Sequence, residues 1–572
     1  MKKIFLSITL IVVVGAGIYL FMQKSAGEHA YQTFISSDAQ FVLTQYDLEK
    51  RVDEFARSPL GGALDSLDYG KIGRELDMSD EEIDRILEAR QNISAFFDNP
   101  LFNTLFGAQV SCALFPFSYR DDSPLEEQIL ENLLIIARPK RGAKLIDVAT
   151  WFDFTTQSVS TSRYGRHTIT RYDLDGGRRV SGIRVDDLLV LSFSEPVLRR
   201  SLDVFDGEQP GLMDVASYRD TIDRFDGASL KVYTDFQEMS AMVDHVVSGS
   251  LANYTTASSR SIGENPYQMG LFGAWRHDDR IVDQAIITFA PEHLDDPVNS
   301  RLRTRTETPR SYANTGLETI LYHWTNQFDT AHILQLVGES EATGDASDSN
   351  PFAELLGIAG LSVDQAGELF TGDLTLAVQG LKHGQLVPLP LFILSLESDN
   401  IELLESSVDK IIDHYSIPVQ RKKINEDVEL ISWGGLIGIG SVLPAFAFTD
   451  NHLVISSNRQ EIRAFIEDNR VQNLASKEQF QKVSDELLKP SNSVTYIEFA
   501  EFTTMLKEMA SWGGTMIAIK DRELARKSTV LIDEMINPVL DGLAMYGAIA
   551  SRKYIDEHMI IFESQTILAH GK

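Results

Sequence analysis

The pattern of hydrophobic and polar positions first separates an N-terminal segment from the rest of the chain. Residues 4–22 carry no charge and are mostly apolar, and Lys2 and Lys3 precede them. Nineteen helical residues, at about 1.5 Å each, nearly match the thickness of the hydrocarbon layer of a bilayer. We therefore predict a cytoplasmic tail and a single-pass transmembrane anchor at residues 1–24. Since the lysines precede the span, the positive-inside rule places the body in the periplasm or another extracytoplasmic space, at a bacterial inner membrane.

A cleaved signal peptide is the alternative for this segment. Such a peptide has a shorter apolar region followed by a small-x-small cleavage site. The small residues at 15–17 lie inside the apolar run, whereas those at 25–27 follow it. The length of the run favours an uncleaved signal-anchor.

Beyond the anchor, the pattern of strands and helices recurs. A shift of 264 residues places the strand pair at 183–192 on the one at 447–456, and a helix pattern follows both pairs. The same shift aligns Leu105 and Phe106 with Leu369 and Phe370, and the strand at 229–233 with the one at 493–497. With ten more residues inserted, a shift of 274 aligns 271–287 with 545–561. Collinear matches of this kind predict an internal repeat.

The repeat determines the predicted domain organisation. We expect a first α+β repeat unit at residues 25–300, a linker at 301–316 and a second unit at 317–572, rather than the three or four domains that length alone suggests. In the second copy, strands predicted near 373–378 and 391–396 precede a helix at 401–415, and further strands follow. Strands that neighbour one another between helices indicate an α+β fold, each unit being a mainly antiparallel sheet covered on one face by helices.

Three segments of the second unit carry a resemblance to a known family. These are LFTGDLTLA at 369–377, the apolar strand at 391–396 with its following helix, and FTDNHLVIS at 448–456. They resemble a bacterial family of membrane-anchored extracytoplasmic proteins defined only as a domain of unknown function. The first unit shares the hairpin and closing strands but departs from the pattern at residues 107–112. The resemblance implies a location and a fold and supplies no catalytic residue.

Charge and cysteine content narrow the classes of partner. The chain has 52 basic and 83 acidic residues, a formal net charge of −31, and a single cysteine. A nucleic-acid partner is disfavoured, because such binding draws most of its affinity from cations that neutralise phosphates. Cys112 cannot form an internal disulfide, and its apolar surroundings predict a packing residue rather than a nucleophile.

Sequence signatures of catalysis or metal binding are not found. The chain has no HExxH, GxSxG, CxxC or phosphate-loop motif, so we predict no catalytic, cofactor-binding or metal-binding residues and no cofactor. His277 and His558 are interpreted as surface residues at strand turns. Asp345, Asp348 and Asn350 are interpreted as a solvated acidic loop, because the calcium-loop glycine and glutamate are missing.

One apolar segment is a candidate interaction surface. Residues 433–444 contain four glycines and no charge where two strands should be joined by polar residues. A buried loop or an interdomain contact would explain the segment. The functional alternative is a patch that binds a partner or touches the membrane, formed by Trp433, Leu436, Ile437, Ile439, Val442 and Leu443.

Together these features predict a membrane-anchored extracytoplasmic protein without catalytic activity. We expect a scaffold, assembly factor or accessory subunit of an envelope complex, with the membrane and an envelope protein as partners. One alternative is a carrier or binder of a lipid or other apolar ligand, which requires a large apolar cavity. Another is a hydrolase with an unrecognised acidic site, which requires a cleft of convergent carboxylates with shifted pKa values.

Overall fold

The chain folds as two compact units. The computed structural model describes residues 29–117, 120, 123–139, 158–173, 179–237, 239, 266–277, 279–291, 302–330, 351–382, 389–426, 428–433, 444–467 and 472–569. Contacts divide the chain into Met1–Tyr254 with Glu264–Ala290, and Thr255–Gly263 with Pro291–Lys572. Within the described ranges no helix is long and apolar enough to cross a bilayer. The anchor predicted at residues 4–22 lies outside those ranges.

The part of the first unit that the structure describes contains ten strands. They are β1 (Phe41–Tyr46), β2 (Gln109–Leu114), β3 (Leu133–Arg138), β4 (Ser158–Tyr164), β5 (His167–Asp173), β6 (Arg179–Val185), β7 (Leu188–Ser192), β8 (Leu230–Asp235), β9 (Tyr267–Arg276) and β10 (Arg280–Phe289). They pair antiparallel in the order β10-β9-β8-β1-β2-β3-β7-β6-β5-β4.

Its described helices lie between the strands along the chain. They are α1 (Leu48–Ala56), α2 (Pro59–Ser66), α3 (Tyr69–Glu75), α4 (Asp80–Asp98), α5 (Pro100–Phe106), α6 (Leu125–Glu131), α7 (Glu195–Phe205) and α8 (Ala216–Ile222). The longest, α4, begins at a capping box in which Ser79 accepts from the backbone of Glu82 while the Glu82 carboxylate accepts from that of Ser79.

The second unit also contains ten described strands. They are β11 (Leu321–Asp329), β12 (Thr371–Lys382), β13 (Leu389–Glu397), β14 (Val419–Lys423), β15 (Glu429–Trp433), β16 (Ala445–Phe448), β17 (His452–Ser456), β18 (Ser493–Glu498), β19 (Tyr546–Asp556) and β20 (Met559–Leu568). They pair antiparallel in the order β20-β19-β18-β11-β12-β13-β17-β16-β15-β14. This is the strand order of the first unit, and the predicted α+β class with antiparallel sheets is confirmed.

The second unit also contains helices. They are α9 (Pro351–Ala359), α10 (Val363–Gly367), α11 (Ile401–His414), α12 (Arg459–Ile466), α13 (Glu478–Gln481), α14 (Ser484–Leu487), α15 (Phe499–Lys520), α16 (Arg522–Leu531) and α17 (Asn537–Leu543), with a π-helical turn at Ile532–Ile536. Capping by Asn400 fixes the start of α11, and Asp521 caps α16.

Helices cover both faces of the second sheet, whereas the sequence predicted one covered face. Along β16 and β17, Ala447 and Val454 belong to a buried cluster with Ile462 of α12. Their neighbours Phe448 and Leu453 belong to another cluster, which includes Leu404 of α11 and lines the opposite face. Strands that are apolar on both faces lack the clean alternation that would reveal this arrangement.

The hairpin shift of 264 residues agrees with the strand register. In the first unit Ser181 pairs with Ser192, and in the second Ala445 pairs with Ser456. Each of the two terminal serines makes the same hydrogen bonds. Ser192 Oγ donates to the Leu133 carbonyl at 2.8 Å, and Ser456 Oγ donates to the Phe392 carbonyl at 2.6 Å. Each oxygen also accepts the backbone N–H two residues later, just before α7 and α12.

The shifts predicted for the last three strands are wrong. Thr44 pairs with Ser111 and Lys231, while Trp324 pairs with Thr375 and Val494. Ser111 and Thr375 are 264 positions apart, but Lys231 and Val494 are 263 apart. A slip of one residue exchanges the two faces of a strand, so Tyr233 corresponds to Tyr496.

The closing hairpins differ by a larger amount. Lys231 pairs with Gly273, and Val494 pairs with Arg552, so the closing strands correspond at a shift of 279 rather than 274. The predicted match of Gly273 and Ala274 to Gly547 and Ala548 therefore does not hold.

Residues 302–316 lie within the segment predicted as a linker. They are bonded to the second sheet, and we call them the strap. Glu307 forms a two-way backbone bridge with Ser491, with both N···O distances 2.8 Å. Two buried amides hold the segment before it: Asn326 Nδ2 donates to the Arg305 carbonyl at 2.8 Å, and Asn492 Nδ2 donates to the Thr304 carbonyl at 3.0 Å. Backbone bonds of this kind fix the strap as part of the unit.

Candidate ligand cleft in the second unit

Most of the residues singled out from the sequence lie outside the described residues, so the predicted patch stays a prediction. Trp433 lies half-buried at the end of β15, where its ring packs 5.8 Å from that of Phe446. The other patch members, Leu436, Ile437, Ile439, Val442 and Leu443, lie outside the described residues, as do Asp345, Asp348 and Asn350. In the described part of the chain, no group of three or more histidine, cysteine or acidic residues could hold a metal ion.

Cys112 and the two histidines take the positions that the sequence predicted. Cys112 on β2 packs against the cluster that includes Leu189 and Leu191, and burial raises the pKa of its thiol to about 11. A thiol in that state is a poor nucleophile. His277 and His558 are exposed at the turns of the closing hairpins.

The second unit contains a cleft of about 990 Å³ between its sheet and the strap. Its floor is formed by β11, β12, β13 and β17, and α12 closes one end. The lining residues are Glu307, Thr308, Arg310, Ser311, Ala313, Asn314, Trp324, Asp373, Thr375, Ser395, Thr449, Asn451, His452, Val454, Phe465 and Ile466.

Strand register places the floor residues in rows. Trp324 pairs with Thr375, Thr375 with Ser395, and Ser395 with Val454, so four adjacent strands each contribute one side chain to a row. Residues two positions along a strand share the same face. The next row therefore brings together Asp373, Glu397 and His452, of which Glu397 and His452 are direct partners.

Gly372 allows the Glu397 carboxylate to approach the backbone. Its φ is +92°, and a Cβ added there would lie 2.6 Å from Glu397 Oε2. That oxygen accepts the backbone N–H of Asp373 at 2.9 Å. Glycine is required for both reasons, because other residues adopt this backbone conformation only with strain and none other lacks a Cβ.

Asp373 is an acid of the cleft with a raised pKa. One carboxyl oxygen accepts a hydrogen bond of 2.7 Å from the indole Nε1 of Trp324, which is 2% exposed. Burial raises the pKa of Asp373 above its ordinary value of 3.8, and the charges of Glu397 and Glu307 act in the same direction. The Trp324 bond and His452 oppose this shift. The result is a half-buried carboxyl, held in place, that faces a cavity.

The rim continues this polar network. Asn451 Nδ2 donates to Glu397 Oε1 at 3.4 Å, and the Asn451 amide oxygen lies 2.7 Å from His452 Nδ1. Two hydrogen bonds close the tight turn from Thr449 to His452: the Thr449 N–H donates to the His452 carbonyl at 2.9 Å, and the His452 N–H donates to Thr449 Oγ1 at 3.1 Å. The turn of the repeated hairpin thus orients the imidazole at the edge of the cleft.

A smaller pocket of about 540 Å³ in the same unit has a different lining. Glu318, Glu478, Glu498, Glu501 and Glu508 contribute to it, together with one basic residue, Lys477. The Lys477 ammonium forms an ion pair with Glu498 and donates to the Thr319 carbonyl at 2.8 Å. Because its basic group is already bonded, the pocket presents mainly acidic side chains.

The corresponding positions in the first unit are filled differently. Strand register equates Trp324 with Thr44, Asp373 with Gln109, Glu397 with Arg138, Asn451 with Asp187 and His452 with Leu188. Arg138 forms an ion pair with Asp187 at 2.8 Å, where the second unit has the contact between Glu397 and Asn451.

In the first unit, buried tyrosines lie around Thr44. Tyr31, which precedes β1 by the same ten residues as Ser311 precedes β11, is 1% exposed. Burial raises the pKa of Tyr31, while hydrogen bonds to Thr44, Tyr218, Gln32 and Tyr46 lower it. Thr44 Oγ1 donates to Ser111 Oγ at 2.9 Å, and Gln32 Nε2 donates to the Tyr218 hydroxyl at 2.6 Å. Around Thr44 the described side chains are thus buried, and Thr44, Ser111, Gln32 and Tyr218 take part in hydrogen bonds with one another.

Residues of this site lie within two sequence segments whose alternating pattern also predicts strands. Gly372 and Asp373 lie within LFTGDLTLA, and His452 within FTDNHLVIS, the segments that carried the family resemblance. A glycine followed by an acidic residue at a strand start indicates a special backbone conformation.

Comparisons with known proteins add little. No family model matches the chain, and no curated protein matches it. Crystal form III of TP0453 aligns over 49% of this chain and 88% of that chain, at 10% identity and a TM-score of 0.25. Crystal form I of the same protein aligns over 46% and 79%, at 9% identity and a TM-score of 0.22. Scores at this level do not assign the chain to that fold.

Proposed function

We propose that this protein is a membrane-anchored extracytoplasmic binding protein, acting as a scaffold, assembly factor or accessory subunit of an envelope complex. In this proposal its second unit binds a small polar ligand in the cleft, and its first unit has a structural role. The observation that carries the proposal is the contrast between the units: a cavity of about 990 Å³ lies on the second sheet, whereas the described residues at the equivalent strand positions of the first unit, such as Thr44 and Ser111, are buried and bonded to each other.

The location is part of the same proposal. The apolar run at residues 4–22, preceded by two lysines, supports a single-pass anchor in a bacterial inner membrane. An excess of 31 negative charges suits an exposed body that stays soluble beside a membrane.

We also propose that the two units arose by duplication of one α+β unit. The shared order of ten strands and the matching bonds of Ser192 and Ser456 support this relationship. Duplication frees one copy to lose a ligand site while keeping its fold.

The composition of the cleft favours a polar ligand over a lipid. Eleven of its 16 lining residues are polar, and the apolar ones are Ala313, Trp324, Val454, Phe465 and Ile466. Acyl chains prefer an apolar cavity, because unpaired polar groups in the wall lose their hydration without compensation. The lipid-carrier alternative is therefore less well supported.

A hydrolase is the second candidate, and one observation favours it. Asp373 has a raised pKa and shares the cleft with Glu307 and His452. A carboxyl of this kind can act as a general acid. In that case Asp373→Asn would abolish turnover of a bound ligand. A ligand recovered chemically unchanged after long incubation would exclude this candidate.

The test of the binding function uses full-length protein purified from its native membranes. Native mass spectrometry should reveal a bound small molecule that is lost on unfolding, and crosslinking before extraction should identify envelope partners. Ala313→Trp, on the strap, should block the cleft and remove the ligand. Ala518→Trp, on the exposed end of α15, is the matched control and should retain it. No ligand on the wild-type protein, or equal ligand on both variants, would exclude the cleft as the binding site.

A further inference from the structure

We propose that the ligand of the cleft is a saccharide, a neutral polyhydroxylated ring or short chain of rings. This inference rests on the proposed binding function and names its ligand class. It is drawn from three properties of the lining: the mixture of donors and acceptors, the balance of charge and the position of an apolar end.

Donors and acceptors are interspersed along the cleft. The carboxyl groups of Asp373 and Glu307 accept hydrogen bonds, whereas Arg310 and the Asn314 amide donate them. A sugar hydroxyl both donates and accepts, and neighbouring hydroxyls on a ring lie within reach of one side chain. A wall that offers both functions can therefore satisfy such a ligand without leaving buried polar groups unpaired.

Charge in the cleft is low and mixed. Glu307 and Asp373 are opposed by Arg310 and the His452 imidazole, and the neighbouring Glu397 is already bonded to the Asp373 N–H and the Asn451 amide, so neither a strong anion nor a strong cation is matched. The 540 Å³ pocket differs, because five glutamates line it with one lysine that is already paired. The cleft is thus the site suited to a neutral ligand that forms many hydrogen bonds.

The end formed by α12 is apolar. Phe465 and Ile466 lie there beside Val454 of the sheet, and Asn314 Nδ2 of the strap donates to the Phe465 carbonyl at 3.4 Å. A pyranose ring has a C–H face that packs on apolar side chains and a rim of hydroxyls. The cleft presents an apolar surface and polar groups in that arrangement, at a volume of about 990 Å³ that accommodates more than one ring.

The experiment measures binding by calorimetry to the full-length protein in a detergent without a sugar headgroup. The probes are chitotriose, maltotriose and cellotriose, with spermidine as the cationic comparison. We expect at least one trisaccharide to bind. Asp373→Asn, which keeps an acceptor for the Trp324 N–H, should weaken that binding at least ten-fold, and Asn314→Ala should weaken it several-fold. Glu501→Gln in the smaller pocket should leave it unchanged.

The outcomes separate this inference from the function on which it rests. Spermidine binding that depends on Asp373, without saccharide binding, would overturn the ligand class and leave the cleft as a binding site. A copurified molecule that is not a saccharide and is displaced by Ala313→Trp would do the same. If no probe binds and no molecule copurifies, both the ligand class and the binding function fail. Saccharide affinity that is equal in wild type and Asp373→Asn would place the sugar elsewhere and overturn the inference.

Discussion

The two units share one order of strands, but the side chains at equivalent positions of the two sheets differ. In the first unit, Thr44, Ser111 and the neighbouring tyrosines bond to one another and are buried. In the second, Trp324 and Thr375 occupy the strand positions, and the side chains around them line a cavity. The backbone register alone therefore does not make a site. The side chains at equivalent positions differ, among them Tyr31 and Ser311 in the segment before the first strand.

The largest expected effect comes from removing the tyrosine of the closed unit. Tyr31→Ala should lower the free energy of unfolding of the first unit by roughly 3–5 kcal/mol, because a buried aromatic ring and its hydrogen bonds are lost. Ser311→Ala in the second unit should cost only about 1 kcal/mol. Hydrogen exchange of β1 and β11 in the full chain measures each unit separately. Equal losses in the two units would contradict the contrast between a packed core and an open cleft.

Two glycines test the backbone conformation that allows the Glu397 carboxylate to approach the backbone of β12. Gly372 and Gly380 have φ values of +92° and +91°, but only Gly372 has a neighbour, Glu397, near the site of an added Cβ. Both alanine variants incur backbone strain of roughly 1–3 kcal/mol. Gly372→Ala should cost about 1–2 kcal/mol more, because it also displaces the carboxylate from the Asp373 N–H.

Denaturant unfolding monitored in the second unit measures this difference. Gly372→Ala should also weaken ligand binding, whereas Gly380→Ala should not. The first unit has Ala108 at the position of Gly372, consistent with its lack of an equivalent carboxylate. Identical losses for both glycines would show that the Glu397 contact is unimportant.

Trp324→Phe should have a smaller effect on stability and should shift the pKa of Asp373 in a defined direction. The indole N–H stabilises the charged form of Asp373, so its removal should raise the pKa of that carboxyl further. The loss of one hydrogen bond should cost about 1–2 kcal/mol. Carboxyl NMR titration of aspartate-labelled protein measures the pKa, with Asp373→Asn for assignment. A lowered pKa would contradict this account of the site.

The smallest effect is a dependence of stability on pH. The pKa of Asp373 is higher in the folded protein than its ordinary value of 3.8, so the folded state binds this proton more tightly. Its contribution to stability is therefore fully present below that value and is lost as the pH rises through the folded pKa. Relative to Asp373→Asn, the second unit of the wild-type protein should lose stability as the pH rises above about 4. The first unit, with Gln109 at this position, should show no such difference.

Much of the architecture could be predicted from local pattern. The hairpins at 183–192 and 447–456 were identified with their register, because a tight turn fixes the pairing of two strands that are adjacent in sequence. The α+β class followed from strands that recur between helices. The shifts of β8 and of the closing strands were not predicted correctly, because apolar strands of similar composition align at several offsets.

The cleft could not be predicted in the same way. Asp373 and Glu397 are 24 residues apart, and Glu397 and His452 are 55 apart, so no motif spacing connects them. Their approach depends on the pairing of β12 with β13 and of β13 with β17. The strap illustrates the same limit. The repeat predicts a linker there, but Asn326 on the next strand and Asn492, 188 residues from Thr304, bond its backbone to the sheet.

The sequence by itself determined the α+β class, the antiparallel hairpins and the turn residues that shape them. These depend on periodicity and on local backbone preferences, which neighbouring residues carry. Only the tertiary structure decided that a cleft lies on the second sheet and which acids face it. Their approach depends on non-local strand register, which pairs β12 with β13 and β13 with β17. The segment before the first strand contributes the buried Tyr31 in one unit and Ser311 at the cleft in the other.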